Sequence, residues 1–225
     1  MKILYAGHGI IGATGLCHLF SENNYSPSDI TLLYEPKDKS PESLIIRNYA
    51  NVYAVPIYTA EEISEKSFNF DLLISVHWKN RINYNLINLA KFGGINLHPS
   101  LLPKYAGCSS LAWALINKEN LVGYSWHIME TEFDTGDIIL QKTMPVKEND
   151  TAFSLWNRVN LEGVKSLKEV IPLAISDSTT KVKQNMKNRT YYKRGFPTYQ
   201  ECLKVNPNLS LKEYKNASYF PNKTS

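Results

Sequence analysis

The first half of the chain alternates short apolar runs with segments of helical periodicity. Parallel strands need a crossover connection, usually a helix, so this alternation predicts βαβ units. The fold class is therefore α/β, with a mostly parallel sheet flanked by helices. The predicted strands are Lys2–Ala6, Ile30–Tyr34, Val52–Pro56, Asp71–Ser75 and Gly94–Leu97. The predicted helices between them are Ile11–Ser21, Pro41–Ala50, Ala60–Glu65 and Asn83–Ala90.

The pattern changes after the fifth strand. A loop rich in Pro, Gly and Ser is predicted at Pro99–Ser110, and three elements follow: a short helix at Leu111–Asn117 and strands at Val122–Met129 and Asp137–Pro145. The turn between these strands is rich in Asp, Thr and Gly, which favour turns. A long helix begins near Thr151. It has an apolar stripe that we assign to the core, consisting of Phe153, Trp156, Val159, Val164 and Leu167.

The remaining residues are predicted to form a C-terminal extension, residues 176–225, on a main domain of residues 1–175. The extension is polar, with a β-hairpin predicted to turn at Asn188–Arg189 and a last helix at Leu209–Tyr214. Residues 181–194 (KVKQNMKNRTYYKR) are locally basic. Such a patch suits a solvated hairpin, the diphosphate of a small ligand or a nucleic acid, and charge alone does not decide between them.

Composition and targeting signals narrow the class of protein. The formal net charge is +4, with charges of both signs spread along the chain, which is typical of an ordinary globular protein. Met1 leads directly into a strand-like run without the parts of a signal peptide, and no apolar stretch approaches the ~20 residues of a membrane span. Cys17, Cys108 and Cys202 form no CxxC pair, which fits a reducing compartment. We therefore expect a cytoplasmic protein without a membrane partner.

A glycine-rich run, GHGIIG at residues 7–12, opens the first helix directly after the first strand. In Rossmann-like dinucleotide-binding folds this spacing lets the backbone approach a pyrophosphate, and Glu35 after the second strand would be the ribose partner. The alternative is a turn that needs glycine because the backbone packs closely there. NAD binding is therefore one alternative function.

Asn96 and His98 stand at the end of the fifth predicted strand. Residues two apart on a strand share a face, so both side chains should point into one pocket at the carboxyl end of the sheet, where α/β folds place ligands. An amide can donate to a developing oxyanion, and a neutral imidazole can take a proton from an attacking amine. The pair indicates acyl transfer, although both side chains could instead satisfy loop backbone.

Asp134 begins the sequence Asp-Thr-Gly-Asp in the turn between the last two strands. Beside His98, its carboxylate would fix the imidazole tautomer and stabilise the protonated ring, but locally the sequence is also just a good turn. Cys108 with His98 would suggest a thiol nucleophile, and His98, His127 and Asp134 would suggest a metal site. The small residues around Cys108 suit a helix start, and His127 suits a pocket wall or core. We therefore predict no metal.

Three stretches together resemble the formyltransferases that use N10-formyltetrahydrofolate: INLHPSLLPKYAG at 95–107, CSSLAWALIN at 108–117 and VGYSWHIMETEFDTGDIILQ at 122–141. Members of that family share a catalytic Asn, His and Asp, which correspond here to Asn96, His98 and Asp134. The resemblance implies a Rossmann-like fold, N10-formyltetrahydrofolate as the one-carbon donor and formyl transfer to an amine.

Within the family the chain most resembles the sugar N-formyltransferases, which act on nucleotide-linked amino sugars. The runs that carry this resemblance are SVHWK at 75–79, GCSS at 107–110 and YYKRGFP at 191–197. The implied acceptor is dTDP-4-amino-4,6-dideoxyglucose or its 3-amino isomer, with no nucleic-acid partner. Methionyl-tRNA formyltransferases share the core but carry a further β-barrel domain, for which this tail is short. Transfer to tRNA is therefore the alternative acceptor reaction.

The resemblance also implies binding residues. Those implied for the pterin of the donor are Val76, His77, Trp78, Met129, Glu130, Thr131, Glu132 and Phe133. Those implied for the sugar nucleotide are Gly9, Lys79, Tyr105, Tyr191, Lys193 and Arg194. Many relatives have arginine where this chain has Ala106, so any contact of that arginine must be absent or supplied elsewhere. Such enzymes often dimerise through C-terminal strands, so we expect a homodimer.

Overall fold

The computed structural model describes residues 1–66 and 68–220. These residues form a seven-stranded sheet flanked by helices and a separate two-stranded sheet. The main sheet contains β1 (Ile3–Gly7), β2 (Ile30–Tyr34), β3 (Ile57–Thr59), β4 (Leu72–Val76), β5 (Gly94–His98), β7 (Leu121–Ile128) and β8 (Ile138–Pro145). The small sheet contains β6 (Ala106–Gly107) and β9 (Tyr191–Tyr192). In the described residues, no helix has the length and apolar character needed to cross a membrane.

The main sheet has the strand order β3-β2-β1-β4-β5-β7-β8. Strands β1 to β5 pair in parallel, whereas β7 pairs antiparallel with β5 and β8 antiparallel with β7. The predicted mostly parallel α/β sheet is therefore confirmed. Every residue of β1 and β4 is buried because helices cover both faces. The carboxyl ends of β1, β4 and β5 consequently meet at one edge, where the loops can build a site.

Helices cover both faces of the main sheet. Their bounds are α1 (Gly9–Ser21), α2 (Pro41–Val52), α3 (Ala60–Glu65), α4 (Tyr84–Ile87), α5 (Ser110–Ile116), α6 (Ala152–Lys165), α7 (Leu167–Ile175), α8 (Tyr199–Val205) and α9 (Leu211–Ser218). The larger core cluster takes residues such as Leu16 and Val159 from α1, α2, α6 and α7. On the other face, Ile63 of α3 and Leu86 of α4 pack in a second cluster.

The third strand lies later in the chain than its pattern predicted. We placed it at Val52–Pro56, but α2 continues through Val52, and the chain then turns with Ala54 in the left-handed region at φ 56°. The strand is Ile57–Thr59, which pairs with β2. The apolar run was therefore shared between a helix end and a turn, so its composition misplaced the strand.

The β-hairpin predicted in the C-terminal extension is wrong. Val182 forms a bridge with Ile138, and β9 pairs in parallel with β6, so the two arms contact different strands rather than each other. A 3₁₀ turn at Met186–Asn188 separates them. The physical reason is that the edge of β8 and the loop after β5 both carry unpaired backbone groups, and each captures one arm.

Two helices follow β9. Helix α9 agrees in type with the helix predicted at Leu209–Tyr214, whereas α8 was not predicted. Both begin with a Ser/Thr-x-x-Glu capping box, so the sequence carried a signal for each. Cys202 of α8 packs in a small cluster with Ile116 of α5, which docks the extension on the rest of the molecule. The division into residues 1–175 and 176–225 stays a prediction.

Candidate active site

A cavity of about 1150 Å³ opens at the carboxyl ends of β1, β4 and β5. This is the edge at which α/β sheets place ligands, and the volume exceeds the roughly 300–1,000 Å³ of typical ligand pockets. Its wall is built from the start of α1, the loop after β4, the end of β5, the start of α5, the β7–β8 turn, α6 and residues 191–196. The cavity is therefore large enough for two reactants side by side.

Four polar side chains meet on the cavity wall: Asn96, His98, His127 and Asp134. The amide nitrogen of Asn96 lies 3.1 Å from Nε2 of His127. The Oδ1 atom of Asp134 lies 3.5 Å from Nδ1 of His98 and 3.5 Å from Nε2 of His127. The structure thus brings together the three residues predicted to react and adds His127, which the sequence suggested only as a pocket-wall or core residue.

Strand geometry explains why these side chains meet. Asn96 and His98 lie two apart on β5, and Asn96 stands opposite His127 in the antiparallel register of β7. A β-bulge at His127 leaves Ile139 as the extra residue on β8. Bulges redirect side chains beside functional sites, and this one immediately follows the turn that carries Asp134.

His98 is held by the loop that follows it. Its Nε2 lies 2.9 Å from the carbonyl oxygen of Tyr105, which only accepts, so Nε2 carries the proton and donates it. The hydroxyl of Ser110 lies 3.2 Å from the same nitrogen. Nδ1 therefore has no proton in the neutral ring, and it faces Asp134. The tautomer is fixed by Tyr105 and not, as expected from the sequence, by Asp134.

Asp134 is almost enclosed, and its backbone lies in the left-handed region at φ 58°. Burial by itself would raise the pKa of its carboxyl. The charges of His98 and His127, with the N–H of Gly107 at 2.8 Å from Oδ2, outweigh burial and hold the pKa of Asp134 well below its usual range. The carboxylate is therefore ionised at neutral pH, and it stabilises a proton on either imidazole.

The residues predicted to bind the donor surround one part of the cavity. His77, Trp78 and the segment Met129–Phe133 line it, but Val76 does not, because its side chain belongs to the core beneath β4. His77 has a left-handed backbone, φ 59°. Its side chain has surface exposed to the cavity. Desolvation by the protein atoms packed around the ring lowers the pKa of His77 to about 4, and nearby positive charges contribute a smaller part of that decrease. Its ring is therefore neutral at pH 7.

Most of the residues predicted to bind the sugar nucleotide line the cavity, namely Gly9, Lys79, Tyr191, Lys193 and Arg194. Tyr105 does not: its phenol donates to Glu119 at 2.7 Å, and its ring stacks on Tyr192. Gly9 has a left-handed backbone at φ 61°, and a Cβ added there would lie 3.6 Å from the side chain of Glu42. The three cationic side chains have the charge that a diphosphate requires.

The glycine-rich turn packs tightly instead of opening toward a ligand. His8 is buried, and its Nε2 lies 3.0 Å from the carboxylate of Asp38. The space beside Glu35, at the ends of β1 and β2, is only about 10 Å³, far too small for a ribose. A Cβ on Gly12 would lie 2.8 Å from the backbone of Gly7, so close packing requires glycine. These contacts favour a packing role over dinucleotide binding.

The apolar stripe of the long helix was assigned wholly to the core. Val159 and Val164 of α6 and Leu167 at the start of α7 are buried, which agrees with that assignment. Trp156 packs against the core and also lines the cavity, whereas Phe153 lines the cavity, so the assignment is wrong for Phe153 and incomplete for Trp156. Helical spacing gives the face that is covered but does not say whether protein or ligand covers it.

The other sequence hypotheses find less support. Both ring nitrogens of His98 contact Tyr105, Ser110 or Asp134, so neither is placed to activate Cys108. In the part of the chain that the structure describes, no group of three or more His, Cys, Asp or Glu side chains could hold a metal ion. The small residues before α5 instead bring the N–H of Gly107 to Asp134.

Comparisons with known proteins agree with this chemistry. A family model described as formyl transferase matches residues 37–171. The GDP-perosamine N-formyltransferase of Brucella melitensis is 47% identical over 114 residues, which are 50% of this chain and 44% of that protein. The chain therefore matches less than half the length of this curated relative.

Two solved structures resemble the whole chain. The N-formyltransferase from Helicobacter canadensis, in complex with folinic acid and dTDP-3-aminofucose, has a TM-score of 0.75 at 24% identity. The match covers 98% of this chain and 81% of that protein. WlaRD, a sugar 3N-formyl transferase solved with dTDP and 5-N-formyl-THF, has a TM-score of 0.74 at 25% identity, with coverages of 96% and 77%. Both confirm the α/β fold.

Proposed function

This chain belongs to the formyl transferase family, and we propose that it moves a formyl group from N10-formyltetrahydrofolate to the amino group of a nucleotide-linked amino sugar. One observation carries the proposal. An amide, two imidazoles and an ionised carboxylate meet on the wall of a cavity that is large enough for two reactants. The sugar N-formyltransferases among the relatives and similar structures support an amino-sugar acceptor.

The wall around His77, Trp78 and Met129–Phe133 is the proposed donor site. The donor supplies a formyl carbon that an amine can attack. The guanidinium of Arg81 lies over the ring of Phe133, 5.9 Å from its centroid, and donates to the carbonyl of Thr131 at 2.9 Å. These contacts fix the shape of the wall, and its aromatic, apolar and backbone polar groups fit a flat heterocycle with donors and acceptors at its rim.

His98 is the proposed general base. Its Nε2 is committed to the carbonyl of Tyr105, so the proton of the attacking amine goes to Nδ1. Asp134, 3.5 Å from Nδ1, then stabilises the protonated ring. Because the carboxylate is already ionised, it needs no proton movement of its own before the transfer. When the tetrahedral intermediate collapses, the bond between the formyl carbon and N10 of the folate breaks, and the departing nitrogen takes up the proton that His98 holds, which leaves a formamide and tetrahydrofolate.

Asn96 is the proposed donor to the formyl oxygen as negative charge builds on it. Nδ1 of His127 donates to the carbonyl of Ile128 at 2.7 Å, so Nε2 of the neutral ring is an acceptor. One N–H of the Asn96 amide is therefore given to His127, which fixes the orientation of the amide. The second N–H remains to stabilise the oxyanion.

Lys79, Lys193 and Arg194 are the proposed partners of the nucleotide's diphosphate. We propose dTDP-4-amino-4,6-dideoxyglucose as the first candidate for the acceptor and its 3-amino isomer as the second. A GDP-linked amino sugar belongs in the same panel, since a relative is named for GDP-perosamine.

The experiment that tests the function is incubation of the chain with N10-formyltetrahydrofolate and a panel of dTDP- and GDP-linked amino sugars. We expect one nucleotide sugar to gain the mass of a formyl group and charged initiator tRNA to gain none. A folate analogue, and not NAD(H), should raise the melting temperature, because a ligand that binds only the folded state stabilises it. Formylation of tRNA, or protection by NAD(H) alone, would contradict the proposal.

We also propose that the chain forms a homodimer in the cytoplasm. The C-terminal strand β9 pairs with β6 of the same chain. An interface through this strand would therefore have to use the edge of β9 that faces away from β6. Light scattering coupled to size-exclusion chromatography tests the assembly, and a monomer mass at micromolar concentration would contradict it.

A further inference from the structure

Residues 182–192 run between the turn that carries Asp134 and the loop that follows β5, the strand of Asn96 and His98. At one end Val182 bridges with Ile138, beside the Asp134 turn. At the other end Thr190 contacts the loop after β5, accepting from the backbone N–H of Tyr105 through its hydroxyl at 2.7 Å and from that of Ala106 through its carbonyl at 2.9 Å. This segment therefore contacts both halves of the site.

Gln184 is the buried side chain in this segment that reaches the Asp134 turn. Its Nε2 donates to the carbonyl oxygen of Asp134 at 3.0 Å and to that of Gly136 at 2.7 Å. Both partners can only accept, so the NH₂ end of the amide must face them. The side chain is 8% exposed, so water does not readily replace these two bonds.

The Asp134 turn requires such support because Asp134 has a left-handed backbone, which non-glycine residues adopt rarely and at an energetic cost. The carboxylate at the other end of the same residue accepts from the N–H of Gly107. Gly107 is in turn held opposite Tyr192 by the pairing of β6 with β9. Residues 182–192 thus fix Asp134 at its backbone through Gln184 and at its carboxylate through Gly107.

We propose that Gln184 is a positioning residue for formyl transfer, which holds the backbone of Asp134 so that its carboxylate lies between His98 and His127. The effect of Gln184 on catalysis rests on the proposed function. The contacts by which Gln184 holds Asp134 do not depend on it. Gln184 lies outside residues 37–171, the part that the formyl transferase model matches. The site of this chain is therefore completed by a side chain beyond the matched region.

The first test replaces Gln184 by methionine, which keeps the length of the side chain and removes both donors. We expect kcat to fall roughly 10- to 100-fold, since a misplacement of about 1 Å can cost 10²-fold in rate, with KM for both substrates within about threefold. The matched control is Asn206→Leu. It removes another amide-to-carbonyl bond of the extension, 2.7 Å to Ile116, away from Asp134. This control should keep kcat; an equal loss in both variants would show that general docking of the extension matters, and not Gln184.

The second test combines Gln184→Met with Asp134→Asn. If Gln184 acts through Asp134, the double variant should be little slower than Asp134→Asn alone, because residues that act as a unit are not additive. Multiplicative losses would overturn the proposal.

The third test does not depend on turnover. Amide hydrogen exchange at Gly107, whose N–H is given to Asp134, should be faster in Gln184→Met than in the wild type and unchanged in Asn206→Leu. Unchanged exchange at Gly107 would overturn the positioning role. If the wild type transfers no formyl group, the proposed function fails, but this measurement still decides whether Gln184 holds Asp134.

Discussion

Two aspartates with little exposure, Asp134 beside the cavity and Asp150 before α6, have different kinds of partner. The guanidinium of Arg158 donates to Asp150 at 2.6 and 3.1 Å, and the N–H of Lys147 and the hydroxyl of Ser154 donate at 2.7 Å each. Asp134 has one backbone N–H and two imidazoles whose nitrogens lie 3.5 Å away. In both cases burial would raise the pKa of the carboxyl, and the partners outweigh it and lower the pKa.

The two sites differ in whether the charge of the partner is permanent. A guanidinium stays protonated at any pH a protein meets, so Arg158 and Asp150 form a constant support for the start of α6. An imidazole can be neutral or cationic, so the balance of charge around Asp134 changes with every proton transferred. The fully bonded carboxylate of Asp150 supports the fold, whereas the carboxylate of Asp134, with its longer contacts to two imidazoles, is the one to which we assign a role in the reaction.

The largest effect should follow from Asp134→Asn. Loss of the charge that stabilises protonated His98 should lower kcat by about 10² to 10⁴, the usual worth of a positioned general base. His98→Asn should lower kcat by a similar factor. The double variant of His98→Asn and Asp134→Asn should have a kcat only slightly lower than that of the slower single variant. Steady-state kinetics on the identified nucleotide sugar measures this.

The matched control for this prediction is Asp150→Asn, which should keep kcat within about twofold at a temperature where the variant is folded. If Asp134→Asn kept wild-type turnover, the role assigned to the carboxylate would be wrong. If Asp150→Asn lost as much as Asp134→Asn, the contrast between the two aspartates would disappear.

A smaller effect, on stability instead of turnover, should follow from Arg158→Met. We expect the free energy of unfolding to fall by roughly 3 kcal/mol, the low end for breaking a buried ion pair, because Lys147 and Ser154 still donate to Asp150. Urea unfolding followed by circular dichroism measures it. As a control, Lys165→Met removes a surface pair with Glu162 and should cost about 1 kcal/mol or less. Equal losses in both variants would contradict the assigned role of Asp150.

The smallest effect concerns acid, where the two aspartates should behave alike. Each has a folded-state pKa below that of the unfolded chain, so each contributes stability that is present above the unfolded pKa, ~3.9, and lost as pH falls through the folded pKa. Below about pH 5 the unfolding free energy should therefore fall less steeply in Asp150→Asn or Asp134→Asn than in the wild type. The slope of the unfolding free energy against pH should differ between variant and wild type by at most about 1.4 kcal/mol per pH unit for each carboxyl. Urea unfolding from pH 6 to 3 measures it, and identical slopes would refute the lowered pKa.

Much of the fold could be predicted because its signals are local. The apolar runs of β1, β2 and β4 and the helix between each pair follow directly from periodicity, and the capping boxes of α8 and α9 were readable too. The third strand was misplaced since Val52 could extend a helix or begin a strand. Local sequence leaves that choice to packing.

The site was predicted only in part because its assembly depends on backbone groups and distant contacts. Asn96, His98 and Asp134 were identified from strand alternation and a resemblance, and the structure brings them together. No side-chain pattern could show that a backbone carbonyl, that of Tyr105, sets the tautomer of His98. Nor could it show that the extension would pair with the loop after β5, since parallel pairing joins residues far apart in the chain.

The pairing of β9 with β6 also imposes an order on biosynthesis. Tyr105 and Thr190, which it brings together, are 85 residues apart. At ~5 to 20 residues per second a ribosome makes the second roughly 4 to 17 s after the first. Until Thr190 is made, the backbone N–H groups of Tyr105 and Ala106 lack the acceptors that it supplies, although Asn96, His98 and Asp134 are all synthesised before it. A nascent chain therefore passes through a stage at which this loop is less protected from proteases, and Asp134 gains its support from residues 182–192 only after that segment has been made.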